Sequence, residues 1–464
     1  MTLYEHAAAQ TAARAVRERM RLLRFLPRFR QAYREIEILK ERENWPRWKI
    51  ESLQLDRINA LWRHAIVHVP YYKKLISRTA LPPSFSSLAE FTSSVPLLPR
   101  DTVKSQPLAF ISGKAARGSW CRTGGSTGIP MNVYWGHDAH REVLRAKYRH
   151  YNQWGLDIFD RMIFLWGHAA SLRPGLAGFM STIKQPLEDR MRNRLRLSAY
   201  FLGRDSLQRY LRQIAAFHPA GLYGYGHAVF LLAQEAERKG FECDTLKLVI
   251  MTGEPISRKI AATVNTALGA PAIQEYGSIE CGVIAGEWTD RTLRVREDIV
   301  FLESIPKADG IYDLVLSLLT NHSFPMIRYS IGDVTSGPLK IPLKGFAILP
   351  SVDGRANDLL ITQNGRLLSP FLVETLFDQI PGLCRYRVVQ KKNGSLNVLV
   401  ELMEGQALLD GVTLERRLSK LVEGYQVKVD AVNAIPCMPS GKHCWILSEK
   451  GRASGRQIGA SLFG

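Results

Sequence analysis

The sequence predicts an α/β protein with a large, multi-layered N-terminal part, in which central sheets are flanked by helices, and a small α+β C-terminal domain. Between about residues 105 and 350, short apolar runs alternate with helical stretches, which is typical of layered folds with parallel strands. Beyond about residue 354, short strands mix with two helices. A chain of 464 residues accommodates two or three domains. We expect a helical, basic N-terminal region (1–90), an α/β body (91–354) and a C-terminal domain (355–464).

Individual elements follow from apolar spacing and from breakers. A 3.6-residue apolar period predicts a helix over Ile50–Val67, which Pro70 ends. In the body, the predicted buried strands are Arg161–Trp166, Leu246–Met251 and Tyr312–Leu318, and the predicted helices are His227–Lys239 and Ser257–Leu268. In the C-terminal domain, the predicted helices are Pro370–Gln379 and Leu414–Glu423, and the predicted strands are Arg385–Gln390, Asn397–Glu401 and Val427–Val432.

Composition limits the protein's class and compartment. Apolar residues make up 46% of the chain and charged residues 23%, as in an ordinary globular protein. The chain has no run of 18 apolar residues, so we predict no transmembrane helix. The Arg-rich start lacks the apolar core of a secretory signal. The six cysteines are scattered without a Cys-x-x-Cys pair. We therefore expect free thiols in a reducing compartment, the cytoplasm.

The formal net charge of +19 is partly local. Segment Arg14–Arg34 carries eight Arg and one acidic residue, with apolar residues between them. Such a basic amphipathic helix could make peripheral contact with anionic lipid, although a solvated helix face is the more ordinary interpretation. Nucleic acid is not predicted as a partner, because the chain has neither zinc-finger spacing nor an RNP-like aromatic motif.

The segment Thr123–Pro130 (TGGSTGIP) is the strongest single motif. Its glycines let backbone N–H groups converge on one anion, and its hydroxyl side chains add further donors. A polyphosphate fits such a surface. The segment is not a Walker P-loop, because no Gly-Lys-Ser/Thr follows it, so a cation from elsewhere must help to neutralise the phosphates.

Five further short motifs accompany this loop. They are Met251–Pro255 (MTGEP), Glu275–Glu280 (EYGSIE), Pro325–Asp333 (PMIRYSIGD), Gly354–Asp358 (GRAND) and Pro439–Lys442 (PSGK). Each one alone is weak, because glycine turns and solvated lysines are common. Their order and spacing are more specific than any one of them.

Taken together, these motifs resemble the adenylate-forming superfamily of acyl-CoA synthetases, adenylation domains and luciferases. The nearest similarity is to the phenylacetate–CoA ligase branch, which includes capsular-polysaccharide-associated proteins. The resemblance covers roughly residues 50 to 450 and rests on the glycine loop, the Tyr276–Glu280 motif, the Arg328–Asp333 motif and Gly354-Arg355. It implies a body that binds ATP and an acyl group, covered by a small C-terminal lid domain.

The resemblance also implies site residues. The loop residues that would bind phosphate are Thr123, Gly124, Gly125, Ser126, Thr127 and Gly128, with Thr127 also catalytic. Glu280 would be catalytic and lie near a Mg²⁺ ion that bridges the phosphates. Tyr276, followed by Gly277, would stack on adenine, and Asp333 would accept the ribose hydroxyls. Arg355 would lie at the domain junction, and Gly253 and Glu254 would line the adenine and acyl pocket.

Lys442 is the implied catalytic lysine. The loop lacks its own lysine, and members of the superfamily carry one on the lid domain. Its ammonium would contact the α-phosphate and the carboxylate together when the lid closes. The alternative is that Lys442 is an ordinary solvated lysine, since a short Gly-Lys pattern arises easily by chance.

Two positions depart from the family pattern. The hinge that usually has an acidic residue after Gly-Arg-x carries Asn357, with Asp358 following. This makes the second, acyl-transferring step less certain than the first. Many members of the branch have a zinc-binding Cys and His where this chain has Trp288 and Arg294, neither of which is a zinc ligand, so we predict no zinc there.

The sequence thus predicts an ATP-dependent ligase that forms an acyl-adenylate and passes the acyl group to coenzyme A. One alternative is transfer to an amine or hydroxyl group in polysaccharide assembly. Another is a catalytically silent, membrane-associated scaffold, which the basic Arg14–Arg34 segment supports. The carboxylate stays open, and Tyr223–His227 either shapes the acyl pocket or packs in the core.

Overall fold

We describe the protein from a computed structural model. It describes residues 27–123, 131–167, 189, 193–200, 202–355, 359–368, 373, 376–377, 380–402, 406, 408, 410–436 and 444–450. Most of the basic segment Arg14–Arg34 lies outside these residues. Among the described helices, none combines the length and apolarity needed to cross a bilayer.

Helices form the N-terminal region. They are α1 (Pro27–Glu41), α2 (Arg47–His68), α3 (Pro70–Ile76), α4 (Leu88–Ser94) and α5 (Arg100–Ser105). Helix α2 covers the predicted helix and buries Ile58, Leu61 and Trp62 on one face. It ends two residues before Pro70, whose fixed φ suits the first turn of α3 instead.

A hairpin follows, and it holds the glycine loop. Strands β1 (Gly118–Arg122) and β2 (Asn132–Gly136) pair antiparallel. The loop between them is closed at its base, because Thr123 N–H donates to the Met131 carbonyl over 2.9 Å and the Thr123 hydroxyl accepts from Met131 N–H over 2.9 Å.

The predicted parallel layering is confirmed in a seven-stranded sheet of order β4-β3-β5-β6-β7-β8-β9. Strands β3 to β7 are parallel, and β8 and β9 are antiparallel. The strands are β3 (Met162–Trp166), β4 (Arg194–Ser198), β5 (Gly221–Tyr225), β6 (Leu248–Thr252), β7 (Ala272–Ser278), β8 (Gly282–Glu287) and β9 (Leu293–Val295), and the helices are α6 (His137–Asn152), α7 (Arg204–Phe217), α8 (Gly226–Arg238) and α9 (Arg258–Leu268).

A separate three-stranded antiparallel sheet completes the body. It consists of β10 (Val300–Pro306), β11 (Tyr312–Leu318) and β12 (Tyr329–Thr335). The strand predicted at Tyr312–Leu318 is therefore present, but it is not part of the parallel layer. Its connections contain no crossover helix, and a parallel pair would need one. One apolar cluster joins this sheet to the N-terminal helices, with Trp62 and Leu314 both fully buried in it.

The C-terminal part is the small α+β unit that the sequence predicts. A hairpin of β13 (Leu360–Ile361) and β14 (Leu367–Leu368) precedes a sheet of order β17-β16-β15-β18. This sheet comprises β15 (Leu383–Gln390), β16 (Leu396–Leu402), β17 (Val427–Val432) and β18 (Ile446–Ser448), packed with α10 (Gly411–Leu421). Of the predicted helix Pro370–Gln379, residues 373, 376 and 377 are described and are helical. The domain boundaries 90 and 354 stay our proposal.

Candidate active site

A buried carboxylate on β12 organises one end of the site. The Tyr276 hydroxyl on β7 donates to Asp333 Oδ2 over 2.8 Å, and Arg355 Nε lies 2.9 Å from Asp333 Oδ1. Arg355 Nη1 also donates to the Ile331 carbonyl over 3.1 Å. Each Asp333 oxygen therefore has its own protein donor, so the carboxylate is held in one orientation.

The electrostatics agree with this geometry. Asp333 raises the pKa of the Arg355 guanidinium above its usual value, so Arg355 stays charged. Burial raises the pKa of Tyr276 well above its usual value, and the adjacent Asp333 raises it further, so the tyrosine remains a neutral donor.

Local backbone geometry brings these residues together. Tyr276 follows four parallel-paired residues of β7 and lies at the carboxyl end of that strand, where ligands of parallel sheets bind. Gly332 precedes Asp333 with φ of 82°, which favours glycine. A Cβ on Gly277 would come within 2.4 Å of the Gly282 carbonyl oxygen, so glycine is needed where β7 meets β8.

A second carboxylate, Glu280, forms the other end of the site. It follows β7 and is almost completely buried. Arg100 Nη1, at the start of α5, donates to Glu280 Oε1 and lies 3.0 Å from the Tyr329 hydroxyl, which itself lies 3.4 Å from Glu280 Oε1. Burial alone would raise the Glu280 pKa, but Arg100 and Arg355 outweigh it and lower that pKa below its usual value.

The glycine loop begins and ends beside this carboxylate. Met131, at the loop's end, has its Sδ 3.9 Å from the Tyr329 hydroxyl. Trp135 Nε1 on β2 donates to the Ile279 carbonyl over 2.9 Å, which ties the hairpin to the segment that carries Glu280. Thr123 forms the loop's base, as described above. The remaining predicted loop residues, Gly124, Gly125, Ser126, Thr127 and Gly128, lie outside the described residues, as does Lys442.

Glu254 has a role that the sequence did not suggest. After β6, Gly253 turns the chain with φ of 83°, and Glu254 Oε2 accepts the backbone N–H of His227 over 2.8 Å at the start of α8. A carboxylate at a helix N-terminus satisfies an unpaired donor and the helix dipole. Glu254 is 8% exposed and anchors the start of α8, and its place in the lining of the adenine and acyl pocket stays a prediction.

An aromatic group lies at the carboxyl ends of β3 and β5. The Trp166 ring is 4.0 Å from the Tyr225 ring and stacks on Tyr223 at 5.5 Å between centroids. Lys147 Nζ lies 3.8 Å from the Tyr223 ring centroid. Trp166 and Tyr223 are partly buried and Tyr225 is buried, so these side chains form a largely buried aromatic cluster beside β6.

A magnesium ion can be tested against the donors present. Within the described part of the chain, no three His, Cys, Asp or Glu side chains are grouped to hold a metal. Glu280 is one buried carboxylate beside the loop. Mg²⁺ in nucleotide sites is held by one or two carboxylates together with substrate phosphates and water, so the residues fit such an ion.

The two residues at the family's zinc positions have other partners. Trp288 stacks on His150 with ring centroids 4.8 Å apart, and the Arg294 guanidinium lies 5.5 Å from the Trp288 ring. Trp288 thus lies between an imidazole and a guanidinium, in a cation–aromatic stack.

The structure thus brings Tyr276, Asp333 and Arg355 into direct contact, and it places Glu280 next to them and to the loop's base. Gly253 is near, because β6 and β7 are adjacent strands with the same direction. Sequence reasoning missed Arg100 and gave no role to the Tyr329 hydroxyl. Tyr329 lies inside the motif Pro325–Asp333, so the sequence did point to its neighbourhood. Arg100 lies in no such motif, and a single Arg after Pro99 does not indicate a site residue.

Comparisons with known proteins agree with the geometry. No protein-family model matches the chain. The protein CapK of Staphylococcus aureus is 21% identical over 430 residues, which cover 88% of this chain and 90% of CapK. A phenylacetate–coenzyme A ligase of Thermus thermophilus is 25% identical over 436 residues, covering 84% of this chain and 91% of that enzyme.

Solved structures share the fold. A 2-hydroxyisobutyryl-CoA ligase in the postadenylation state, bound to 2-HIB-AMP, superimposes with a TM-score of 0.70 at 18% identity, covering 90% of this chain and 94% of that one. The same ligase in its thioesterification state gives a TM-score of 0.56 with the same coverage.

Proposed function

We propose that this chain, which has the fold of the adenylate-forming superfamily and is related in sequence to its phenylacetate–CoA ligase branch, is an ATP-dependent ligase that activates a carboxylate as an acyl-adenylate. The observation that supports this most is the pair of buried carboxylate clusters, Asp333 with Tyr276 and Arg355, and Glu280 with Arg100, at the end of β7 beside the glycine loop.

In the first step, a carboxylate oxygen of the substrate attacks the α-phosphorus of ATP, and the bond to pyrophosphate breaks. Positioning and charge neutralisation dominate such phosphoryl chemistry. Asp333 would bind the ribose hydroxyls through its two fixed oxygens, the Tyr276 ring would lie against adenine, and Arg355 would lie by the ribose and α-phosphate. A Mg²⁺ ion held by Glu280 would supply charge neutralisation on the phosphates.

Two further parts of the machinery rest on the family resemblance. Ser126, Thr127 and the amides of Gly124, Gly125 and Gly128 would bind the β- and γ-phosphates through backbone and hydroxyl donors. Lys442 would bring an ammonium to the α-phosphate and the incoming carboxylate. The small C-terminal domain would thereby act as a lid over the nucleotide.

The aromatic side chains favour a flat apolar acyl group. Trp166 and Tyr223 are partly exposed on β3 and β5, and the acyl group would extend towards them from the α-phosphate. Rings of a substrate pack well on aromatic side chains in offset or tilted arrangements. Glu254 holds the start of α8, the helix that directly follows Tyr225 in the chain.

For the second step we propose coenzyme A as the acceptor. Its thiolate would attack the acyl carbonyl carbon and release AMP. Two relatives are named phenylacetate–coenzyme A ligases, which supports this acceptor. Transfer to an amine or hydroxyl group is the second candidate, favoured by Asn357 at the hinge position and by the CapK relative.

None of the described cysteines forms a disulfide, which supports our placement of the reaction in the cytoplasm.

The test is carboxylate-dependent exchange of labelled pyrophosphate into ATP, over a panel of aromatic, fatty and amino acids. We expect exchange with aromatic acids first, and AMP release that rises when coenzyme A is added. If coenzyme A does not change AMP release but an amino sugar raises it, the acceptor is an amine or hydroxyl group and not coenzyme A. No exchange with any carboxylate would contradict the ligase proposal.

A further inference from the structure

A phosphate-binding loop without its own lysine leaves a charge problem. ATP brings about four negative charges, and backbone N–H groups offer only partial positive charge. Lys442 would reach the α-phosphate from the C-terminal domain, far along the chain. Besides the Mg²⁺ ion proposed above, a cation near the loop's base would neutralise the β- and γ-phosphates further. Arg100 lies there, 3.0 Å from the Tyr329 hydroxyl that Met131 contacts.

The Arg100 guanidinium lies on the solvent side of Glu280. Its side chain is 27% exposed, whereas that of Glu280 is 2% exposed. Both described contacts of the guanidinium, with Glu280 Oε1 and with the Tyr329 hydroxyl, use Nη1. A group arriving from solvent would therefore meet Arg100 before it meets Glu280.

The backbone that carries Arg100 is fixed to the strand that carries Asp333. Leu98 N–H donates to the Arg328 carbonyl over 2.7 Å, and Ser330 N–H donates to the Leu98 carbonyl over 2.9 Å. These two bonds pair the residues before α5 with the start of β12. The start of α5 is thereby fixed against the strand that carries Asp333.

The chemistry of these groups would let a phosphate replace Glu280 as the partner of Arg100. Two carboxylates, Glu280 and Asp333, face two guanidinium groups, Arg100 and Arg355, so the site without nucleotide is close to neutral. Phosphate oxygens accept the same two-pronged hydrogen bonds from a guanidinium as a carboxylate does. Exchange of Glu280 for phosphate keeps Arg100 paired and leaves Glu280 available to a cation.

We propose that Arg100 is a phosphate-binding residue, whose guanidinium rests on Glu280 in the free protein and binds the β- and γ-phosphates when ATP enters. This inference rests on the proposed function and deepens it. Arg100 acts on binding and positioning of the leaving pyrophosphate, because the nucleotide's α-phosphate is assigned to Lys442 and Arg355.

The experiment compares ATP and AMP binding to the full-length protein by calorimetry, with Mg²⁺ and with EDTA. In Arg100→Met we expect ATP affinity to fall about tenfold or more, because charge-assisted hydrogen bonds are lost, and AMP affinity to change less than twofold. Arg100→Lys keeps the charge without the planar fork, so its ATP affinity should lie between the two. The loss should persist in EDTA.

Arg57→Met is the matched control. Arg57 is 25% exposed, pairs with Glu142 over 3.1 Å and donates to the Asp298 carbonyl over 2.8 Å. Neither partner belongs to the site, so the variant loses a partly exposed ion pair of similar kind. It should bind both nucleotides like the wild type. Thermal unfolding without ligand shows whether each variant is folded. If Arg100→Met does not fold, the comparison of ATP and AMP affinities is made with Arg100→Lys instead.

Equal losses of ATP and AMP affinity in Arg100→Met would overturn the proposal and make Arg100 a support of Glu280 only. Unchanged ATP affinity would also overturn it. Wild-type protein that catalyses no pyrophosphate exchange would instead contradict the proposed function, so the two failures are distinct.

Discussion

Asp333 shows how one side chain sets the chemistry of a site. Its two oxygens are already oriented by Tyr276 and Arg355, so bound ribose hydroxyls would meet a rigid acceptor. Preorganised acceptors bind more strongly than mobile ones, because little conformational freedom is lost on binding. This residue therefore gives a direct test of nucleotide orientation.

We expect Asp333→Asn to weaken ATP and AMP binding about tenfold each, because an amide offers one acceptor where the carboxylate offers two. The specific signature is lost discrimination: the wild type should bind ATP better than 2′,3′-dideoxy-ATP, and the variant should bind both alike. Competition binding measures this. Tyr276→Phe, which removes only one donor to Asp333, should retain discrimination. If Asp333→Asn also retains it, Asp333 does not bind the ribose.

Glu43, outside the site, gives a pH-dependent contribution to stability. Burial raises its pKa to about 7, although Arg149 Nε at 3.1 Å and Gln153 favour the charged form. Arg149 is shared with the buried Asp298, so its charge only partly serves Glu43. The unfolded chain has the ordinary pKa of 4.5, so the folded protein retains a proton that the unfolded chain has released in the window from pH 4.5 to 7.

Because the folded state binds more protons there, stability should fall as pH rises through that window and level off above it. Glu43→Gln removes this dependence. We expect the variant to gain about 2 kcal/mol relative to the wild type between pH 5 and pH 8, measured by urea unfolding. Glu37→Gln, at an exposed glutamate, is the control and should show no such change. Parallel pH profiles for Glu43→Gln and wild type would disprove the assignment.

At the level of elements, β7 separates two polar environments. Glu275 faces a buried cluster in which Lys147 Nζ lies 3.2 Å from Oε1, and Arg296 Nη2 lies 3.2 Å from Oε2. The next residue, Tyr276, faces Asp333. A slip of β7 by one residue would exchange these faces and leave Lys147 and Arg296 without Glu275, so the buried cluster fixes the register of the site strand.

The β7–β8 junction can be tested at Gly277. A Cβ there would lie 2.4 Å from the Gly282 carbonyl oxygen and 3.1 Å from the Val283 Cα. Both are backbone atoms, so no change of side-chain rotamer can relieve the clash. We expect Gly277→Ala to cost about 1–3 kcal/mol and to weaken nucleotide binding, because Tyr276 and Glu280 move with the hairpin.

Gly203→Ala is the control for that variant. An added Cβ at Gly203, just before α7, has nothing within 4 Å, so its thermal unfolding midpoint should stay near that of the wild type. A Gly277→Ala protein as stable as Gly203→Ala, with unchanged ATP affinity, would mean that the β7–β8 junction tolerates the added Cβ and would contradict this prediction.

For the whole molecule, the position of the C-terminal domain decides whether a complete site exists. Trp445 on this domain lies edge-on to His227 at the start of α8, with ring centroids 6.2 Å apart. Leu367 N–H donates to Asp309 Oδ2 on the body over 2.8 Å. The described end of the C-terminal domain thus lies against the helix that Glu254 anchors, and Lys442 is three residues from Trp445 in the chain.

If Lys442 completes the site from this domain, Lys442→Ala should lower carboxylate-dependent pyrophosphate exchange by about 10²–10³ and leave ATP binding measurable. The reason is that its ammonium acts on the reacting carboxylate and α-phosphate, whereas other groups hold the rest of the nucleotide. Lys428→Ala, at an exposed lysine of the same domain, should exchange normally. Wild-type exchange in Lys442→Ala would remove this lysine from the mechanism.

The sequence by itself determined the elements and the motifs. Apolar period and flanking breakers located α2, α8 and strands such as β6 within a few residues, because such patterns reflect backbone geometry that is local along the chain. The motif resemblance also identified Tyr276 and Asp333 as partners in one site, and the structure brings them into contact.

Only the tertiary structure decided which distant groups meet. The Arg100–Glu280 pair joins positions 180 residues apart, Glu254 turns towards the start of α8, and β11 pairs antiparallel outside the main sheet. No local pattern marks these contacts. Pairing of distant charges depends on how the N-terminal helices, the two sheets of the body and the hairpin pack together, and that packing is a property of the folded chain and of no single segment.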